Sequence, residues 1–300
     1  MLMLRKLLPW RFQSFTNFLN ENTNFVFRSV LKTPPIKCNP DGAVDYTSLV
    51  CHRDVNIYIL ATKSFLRFHN NVSVVVHSDG TLTQSDTTKL RDHIPGIRII
   101  TRDEAEDKVN AEVGSTLLKD VRKRDVSFIK IIDVNLFSKK RKIIADSDLL
   151  FLSEPSEVIR WIESGEEKPF HHINLDANKK FWGHLENLNK RLGTSIKTLN
   201  YCSGFIGYSN QLTLTDMERV TTELLAVGEG WGLEQCVYAF ILAQNSQELP
   251  QEKYLAVMDD PSDADVRAAT MIHFVGKLKH SQYLRLARKT IAELATPRKI

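Results

Sequence analysis

Lys142-Ile143-Ile144-Ala145-Asp146-Ser147-Asp148-Leu149-Leu150-Phe151-Leu152 sets two carboxylates, one residue apart, between two apolar runs. An apolar run with β-branched residues followed at once by acids reads as a buried strand whose carboxyl end opens into a site. In an open α/β sheet, ligands gather outside the carboxyl ends of the strands. Two carboxylates there make an oxygen-rich position suited to Mg²⁺ or Mn²⁺ with a phosphate beyond it.

Upstream of this strand the chain alternates regularly. Tyr46 to Cys51 reads as a short strand, His52-Arg53-Asp54 as a polar turn, and Val55 to Phe68 as a helix with Ile59, Leu60, Phe65 and Leu66 as its apolar stripe. Val72 to Val76 is a second strand, closed by His77-Ser78-Asp79-Gly80. Thr83 to His93 is a polar helix leading through Pro95-Gly96 into a strand at Ile97 to Ile100. Strand, helix, strand, helix, strand implies parallel pairing with right-handed crossovers, a nucleotide-binding type of half-sheet. Both polar turns fall at carboxyl ends of strands, where a base or ribose is held, and each also reads as an ordinary turn with good capping residues. Residues 101–124 are highly charged and read as exposed helix surface or loop. Ser127 to Phe137 carries Phe128, Ile131, Ile132 and Leu136 as the buried side of a helix, with Lys130 among them, either snorkelling to water or aimed at an anion.

The composition, 300 residues with 42% hydrophobic and 25% charged, suits one large soluble α/β domain or two small ones. No run approaches the roughly 18 apolar residues of a membrane span. Arg5-Lys6 interrupts Met1-Leu2-Met3-Leu4 too early for a signal peptide, so a cytoplasmic protein is expected. Cys38, Cys51, Cys202 and Cys236 have neither paired nor metal-type spacing and read as reduced thiols. The net charge of +4 is unevenly spread: residues 1–37 carry six cations against Glu21, residues 273–300 seven against Glu293, and the body is acidic. Such basic ends read as solvated faces or as contacts to an anionic surface. Phe15, Phe18 and Leu19 have helical spacing, as in a helix packed on the main domain or lying at a membrane interface, and Pro34-Pro35 and Asn39-Pro40-Asp41-Gly42 then break the chain. The expected division is a basic aromatic extension over residues 1–43, the main domain over 44–280, and a basic amphipathic helix over 281–300.

Beyond the acidic pair, Ser153-Glu154-Pro155-Ser156 starts a helix through Val158 to Ile162, and His171-His172-Ile173-Asn174-Leu175-Asp176 reads as a further strand. Neighbours on a strand point to opposite faces, so this histidine pair does not easily ligate one ion. Tyr201 to Tyr208 is a strand punctuated by Gly204 and Gly207, which mark a bulge or a close approach of backbone to ligand. Leu214 to Val227 is a helix, and Gly228 to Gly232 leads into another that carries Glu234 and Gln235 at its start. Tyr254 to Met258 and Thr270 to Phe274 are the last strands, the second running into His273-Phe274-Val275-Gly276-Lys277-Leu278-Lys279. From Ser281, the residues Leu284, Ala287, Arg288 and Ile291 trace the basic amphipathic helix.

With Lys130, the acidic pair, Gly204, Glu234-Gln235 and His273-x-x-Gly276-x-x-Lys279 in this order, the sequence resembles glycosyltransferases of the GT-A fold. It is most similar to the family 8 type of retaining, manganese-dependent enzymes that use UDP-sugars, from about Tyr46 to Lys279. The resemblance implies a Rossmann-like mixed α/β sheet flanked by helices. It implies that Asp146 and Asp148, with Ser147 between them, form the Asp-x-Asp that ligates Mn²⁺ and touches the donor ribose, and that His273 completes the metal's ligands. Gly276 and Lys279 match the glycine that admits the diphosphate and the lysine that pairs with it. Lys130 falls where the family has a basic residue reaching the donor, and Glu234 and Gln235 match the pair beside the donor sugar. His52, Asp54 and Asp79 lie where the base is recognised. The chain departs from the family pattern at Cys202, where an asparagine is usual, and at His280 and Ser281, where the family has proline and tryptophan.

The activity so implied is transfer of a hexose from a UDP-sugar to a glycan or lipid-linked acceptor, as in polysaccharide biosynthesis, with Mn²⁺ or Mg²⁺ as cofactor and no nucleic-acid partner. Two other readings stay open. A sugar nucleotidyltransferase shares the half-sheet and paired acids, although His52-Arg53-Asp54 is a poor substitute for its glycine-rich basic loop. A catalytically silent nucleotide-sugar binding module is the other, and the departure at Cys202 argues for it. The basic C-terminal helix adds an expected peripheral contact with anionic membrane.

Overall fold

The computed structural model describes residues 22–174, 179–209, 212–228, 230, 232–275 and 281–296. Its strands are β1 (Val44–Val50), β2 (Ser73–Ser78), β3 (Arg98–Ile100), β4 (Arg141–Ala145), β5 (Leu149–Phe151), β6 (Phe170–Ile173), β7 (Tyr201–Tyr208), β8 (Gln247–Glu248), β9 (Tyr254–Val257) and β10 (Met271–Phe274). A seven-stranded sheet runs β3-β2-β1-β4-β7-β6-β8, and a three-stranded sheet runs β5-β10-β9. Strands β1 to β4 are mutually parallel where they pair, and β7 is antiparallel to both of its neighbours. Val74, Val75, Val76, Ile143 and Ile144 are all buried, as unbroken apolar runs must be when helices cover both faces of a parallel sheet. The carboxyl ends of β1, β2 and β4 therefore share one edge.

The helix Val55–Leu66 is buried at all twelve positions and not along a stripe. The sheet lies on one side of it, and the turn Arg28–Lys32 and the helix Ser281–Ala295 cover the other. That shell even covers Lys63, whose Nζ donates to Thr33 Oγ1 at 2.6 Å. The helix Ser281–Ala295 buries Tyr283, Leu286, Ala287 and Thr290, with the Tyr283 ring stacked on Phe274 at 4.7 Å. Its buried face is thus centred beside the predicted stripe, and Arg288 is exposed with Arg285 and Lys289.

Residues 101–124 depart from the expected exposed surface. They form the helices Arg102–Glu112 and Thr116–Arg124, and Arg122 is only 1% exposed. Its guanidinium donates to Asp133 Oδ1 and Oδ2 at 2.5 and 2.7 Å and to Glu106 Oε1 at 2.7 Å. Removing one partner of a buried, bidentate pair strands the other charge. Arg122→Met is expected to lower stability by about 3–5 kcal/mol in urea unfolding. The double variant Arg122→Met/Asp133→Leu should recover most of that loss.

Among the described residues, no helix is long and apolar enough to cross a membrane. The predicted helix around Phe15 to Leu19 lies outside the described residues.

Candidate active site

The acidic pair sits where the chain leaves one sheet for the other. The Asp146 N–H donates to the Gly204 carbonyl at 2.8 Å, extending the β4–β7 ladder by one residue, and the chain then enters β5. There Leu149 pairs with His273 across the antiparallel β5–β10 ladder, and the Phe274 N–H donates to the Asp148 carbonyl at 3.0 Å. Main-chain register thus delivers His273 to the two acids. Its Nε2 lies 3.2 Å from Asp148 Oδ1 and 3.9 Å from Asp146 Oδ2.

The ligand atoms of Asp146, Asp148 and His273 all lie within 4.8 Å of one another. Two carboxylates and one imidazole form a donor set that fits Mn²⁺ or Mg²⁺. Burial alone would lower the His273 pKa, but Asp148 and Cys202 outweigh it and hold it well above the ordinary histidine value. The negative groups around the imidazole make this a place whose field favours positive charge.

Lys130, on the helix Phe128–Phe137, does not snorkel. It is 7% exposed, and its Nζ lies 3.0 Å from both Asp146 Oδ1 and Glu234 Oε1 and 3.4 Å from Ser203 Oγ. Burial favours the neutral amine, yet the two carboxylates dominate and raise its pKa. Tyr238 fixes this helix by donating its hydroxyl proton to the Lys130 carbonyl at 2.7 Å. Glu234 and Gln235 open the helix Leu233–Leu242, so both are aimed at the site from its first turn. Ser203 joins them: its Oγ donates to Glu234 Oε1, and its N–H donates to Gln235 Oε1 at 3.2 Å. Burial pushes the Glu234 carboxyl up against the pull of Lys130.

Strand β7 carries the remaining geometry. Its pairing with β6 shifts register between His171 and His172, so that His172 faces Cys202 where an unbroken ladder would set it opposite Phe205. Bulges of this kind re-aim side chains next to sites. Gly204 lies in the bulge, where a Cβ would stand 2.3 Å from His273 Cε1, so a glycine is what lets the imidazole approach. The group that comes close is a side chain of the protein itself. Cys202 Sγ lies 3.5 Å from His273 Nδ1, and although burial raises its pKa, His172 and His273 prevail and bring the thiol down to about 5.

These residues line a cleft of about 650 Å³. It is lined by Lys130, Asp146, Cys202, Ser203, Glu234, Gln235 and His273, together with Arg124, Asp125 and Ser127. Ser147 is buried between the acids. His52, Asp54 and Asp79 stand at the carboxyl ends of β1 and β2, on the same sheet edge, but do not line the cleft. Asp79 Oδ1 accepts from the Thr81 N–H and hydroxyl at 2.9 and 2.7 Å, an Asx turn, and Asp54 lies 3.5 Å from Arg53 Nε. Gly276 and Lys279 lie outside the described residues. Ser203 and His172 escape sequence reading. Ser203 gives no local signal beyond the following Gly204, and His172 acquires its partners only through the register shift.

His52 is tied down by Asp86, whose Oδ2 lies 2.6 Å from the His52 Nδ1 and also caps its own helix through Thr83. Burial raises the Asp86 pKa, but hydrogen bonds from Thr83, His52 and Lys89 outweigh it and bring it down to about 2. A depressed carboxyl contributes stability that is present above its unfolded pKa of about 4 and is lost as pH falls through the folded value. Asp86→Asn is expected to be about 2 kcal/mol less stable at pH 7. The difference should narrow between pH 4 and pH 2 in denaturant titrations.

This mixed α/β sheet flanked by helices has the GT-A fold, shared with the solved glycosyltransferase structures to which it is similar. Among solved structures, the chain is similar to the apo structure of the bifunctional glycosyltransferase WbbM (TM-score 0.57, 13% identity), covering 84% of this chain and 50% of that one. The chain thus spans half the length of WbbM. It is also similar to the galactosyltransferase LgtC in complex with donor and acceptor sugar analogues, with TM-score 0.54 and 12% identity, covering 85% of this chain and 98% of that one. No protein-family model and no curated protein sequence matches the chain.

Proposed function

We propose that the protein is a divalent-metal-dependent glycosyltransferase that moves a hexose from a UDP-sugar to a glycan or lipid-linked acceptor. The observation that carries this reading is the convergence of Asp146, Asp148 and His273 at the sheet edge beside a cleft that also holds Lys130, Glu234 and Gln235. A nucleoside diphosphate leaves poorly until its charge is neutralised, and a Mn²⁺ or Mg²⁺ ion on the three ligands would supply that neutralisation. Lys130 adds fixed positive charge at the same wall, and its two carboxylate contacts hold it without reorganisation as charge develops. Ser203 bonds both members of the Glu234-Gln235 pair, which supports their proposed role beside the donor sugar. The base contacts proposed at His52, Asp54 and Asp79 would extend the site along the sheet edge, and Gly276 and Lys279 are the proposed diphosphate contacts.

The retaining family 8 chemistry, a cytoplasmic location and attachment to anionic membrane belong to the same proposal. The helix Ser281–Ala295 has its apolar face in the core, so any membrane contact falls to its exposed cations. Calorimetry of UDP-sugar binding, paired with turnover, tests the reading. With Mn²⁺ present, Gln235→Ala should bind donor within about threefold of wild type yet turn over at least about tenfold more slowly, as a group acting in the transition state does. No UDP-sugar binding by the wild type would count against the proposal.

A further inference from the structure

We infer that His172, Cys202 and His273 form a second cation site, a buried thiolate–imidazole triangle for a borderline-soft divalent ion of the Zn²⁺ type. Their ligand atoms lie within 4.8 Å of one another, and the residues are 0%, 2% and 5% exposed. The spacings match a tetrahedral centre. Zinc–nitrogen bonds of about 2.0–2.1 Å and zinc–sulfur bonds of about 2.3 Å put two nitrogens about 3.4 Å apart and nitrogen and sulfur about 3.5 Å apart. His172 Nε2 and His273 Nδ1 are separated by 3.4 Å, and His273 Nδ1 and Cys202 Sγ by 3.5 Å.

The outer partners point the same way. His172 Nδ1 donates to the Phe205 carbonyl at 3.0 Å, which leaves the lone pair on Nε2, facing the triangle. His273 Nε2 can donate to Asp148 Oδ1 at 3.2 Å, which turns its Nδ1 lone pair inward as well. Imidazoles that bind metal commonly pass their other N–H to a backbone carbonyl or a carboxylate, and both kinds of partner are present. Cys202 and His273 line the cleft, so an ion has a path in, and the fourth position can face solvent. Binding displaces to solvent the proton that the Cys202–His273 pair holds between them.

The two donor sets select different ions, since the outer acids are hard oxygen ligands and the inner set is sulfur and nitrogen. A neutral imidazole offers one lone pair, so His273 serves one of them at a time. Occupation of the inner site would therefore leave His273 Nε2 protonated on Asp148 and unable to ligate an ion on the outer acids, a consequence that rests on the transferase reading. The inner site itself does not.

Titration of the intact protein with Co²⁺, without any nucleotide sugar, tests it. The wild type and Asp146→Asn are expected to show a thiolate-to-cobalt charge-transfer band in the near ultraviolet that Zn²⁺ abolishes by displacement. Cys202→Ser should lack the band and bind Zn²⁺ more than about 100-fold more weakly, since losing even an outer partner of a ligand costs 10–100-fold. His172→Gln keeps every thiol and should weaken Zn²⁺ binding likewise, which decides the matter if Cys202→Ser does not fold. No band in the wild type at saturating Co²⁺, or a band unchanged in Cys202→Ser, would overturn the site. Both readouts are independent of sugar transfer.

Discussion

Asp148→Ala is expected to lower metal-dependent transfer by about 100- to 1,000-fold, the scale at which one preorganised electrostatic contact contributes to a charged transition state. The loss has two sources. Asp148 supplies one of the two carboxylates to the proposed ion, and its Oδ1 also holds His273 Nε2 at 3.2 Å, so one substitution removes a ligand and unfastens another. The fold should survive. The Asp148 carbonyl, which accepts the Phe274 N–H and secures β5 on β10, is untouched by the change of side chain. A steady-state assay across Mn²⁺ concentrations should show activity that saturating metal does not restore, with a thermal midpoint close to wild type. Full activity in Asp148→Ala would sink the assignment of the acid pair.

Gly204→Ala is expected to act almost as strongly through pure sterics. The added Cβ would fall 2.3 Å from His273 Cε1 and 2.6 Å from its Nδ1, separations that real atoms do not occupy. The imidazole has no easy retreat, because Cys202, His172 and Asp148 already lie within 3.5 Å of its nitrogens. Either His273 leaves the acids or β7 moves away from β10. The expected result is at least a 100-fold fall in transfer together with about 1–3 kcal/mol of overpacking strain. Gly207 supplies the control. A Cβ there would meet the Phe170 ring at 2.1 Å, away from the cleft, so Gly207→Ala should cost comparable stability while each folded molecule keeps its activity. Equal activity losses in the two variants would mean that His273 is not the group through which Gly204 acts.

The parallel half of the sheet is legible in the sequence because burial on both faces writes itself as unbroken apolar runs, as in Val74 to Val76 and Ile143 to Ala145. The acids are legible for a related reason: charge directly after such a run has nowhere to go but the sheet edge. What depends on contacts between distant segments is not. Arg122 hides within a run of cations, and only the packing of two helices reveals that Asp133, itself inside an apolar segment, is its partner. The alternation argument correctly separates His171 from His172. His171 stacks on Tyr201 at 4.3 Å and bonds Ser246, while His172 turns to Cys202 and His273. It does not foresee the second half of that arrangement: Gly204 marks the bulge, but which residue of β6 is brought opposite Cys202 is set by pairing across the whole sheet. Lys130 is the intermediate case. Its apolar neighbours suggest a cation at a buried boundary, but the choice between water and an anion is made by Asp146 and Glu234, which arrive from elsewhere in the chain.

Release of UDP from a panel of UDP-sugars, followed with Mn²⁺ and again after chelation, tests the central claim most directly. The account predicts release from at least one donor in the presence of an acceptor glycan, its loss on chelation, and its return when Mn²⁺ is restored. Release that proceeds unchanged in chelator, or no release from any donor with any acceptor, would contradict it.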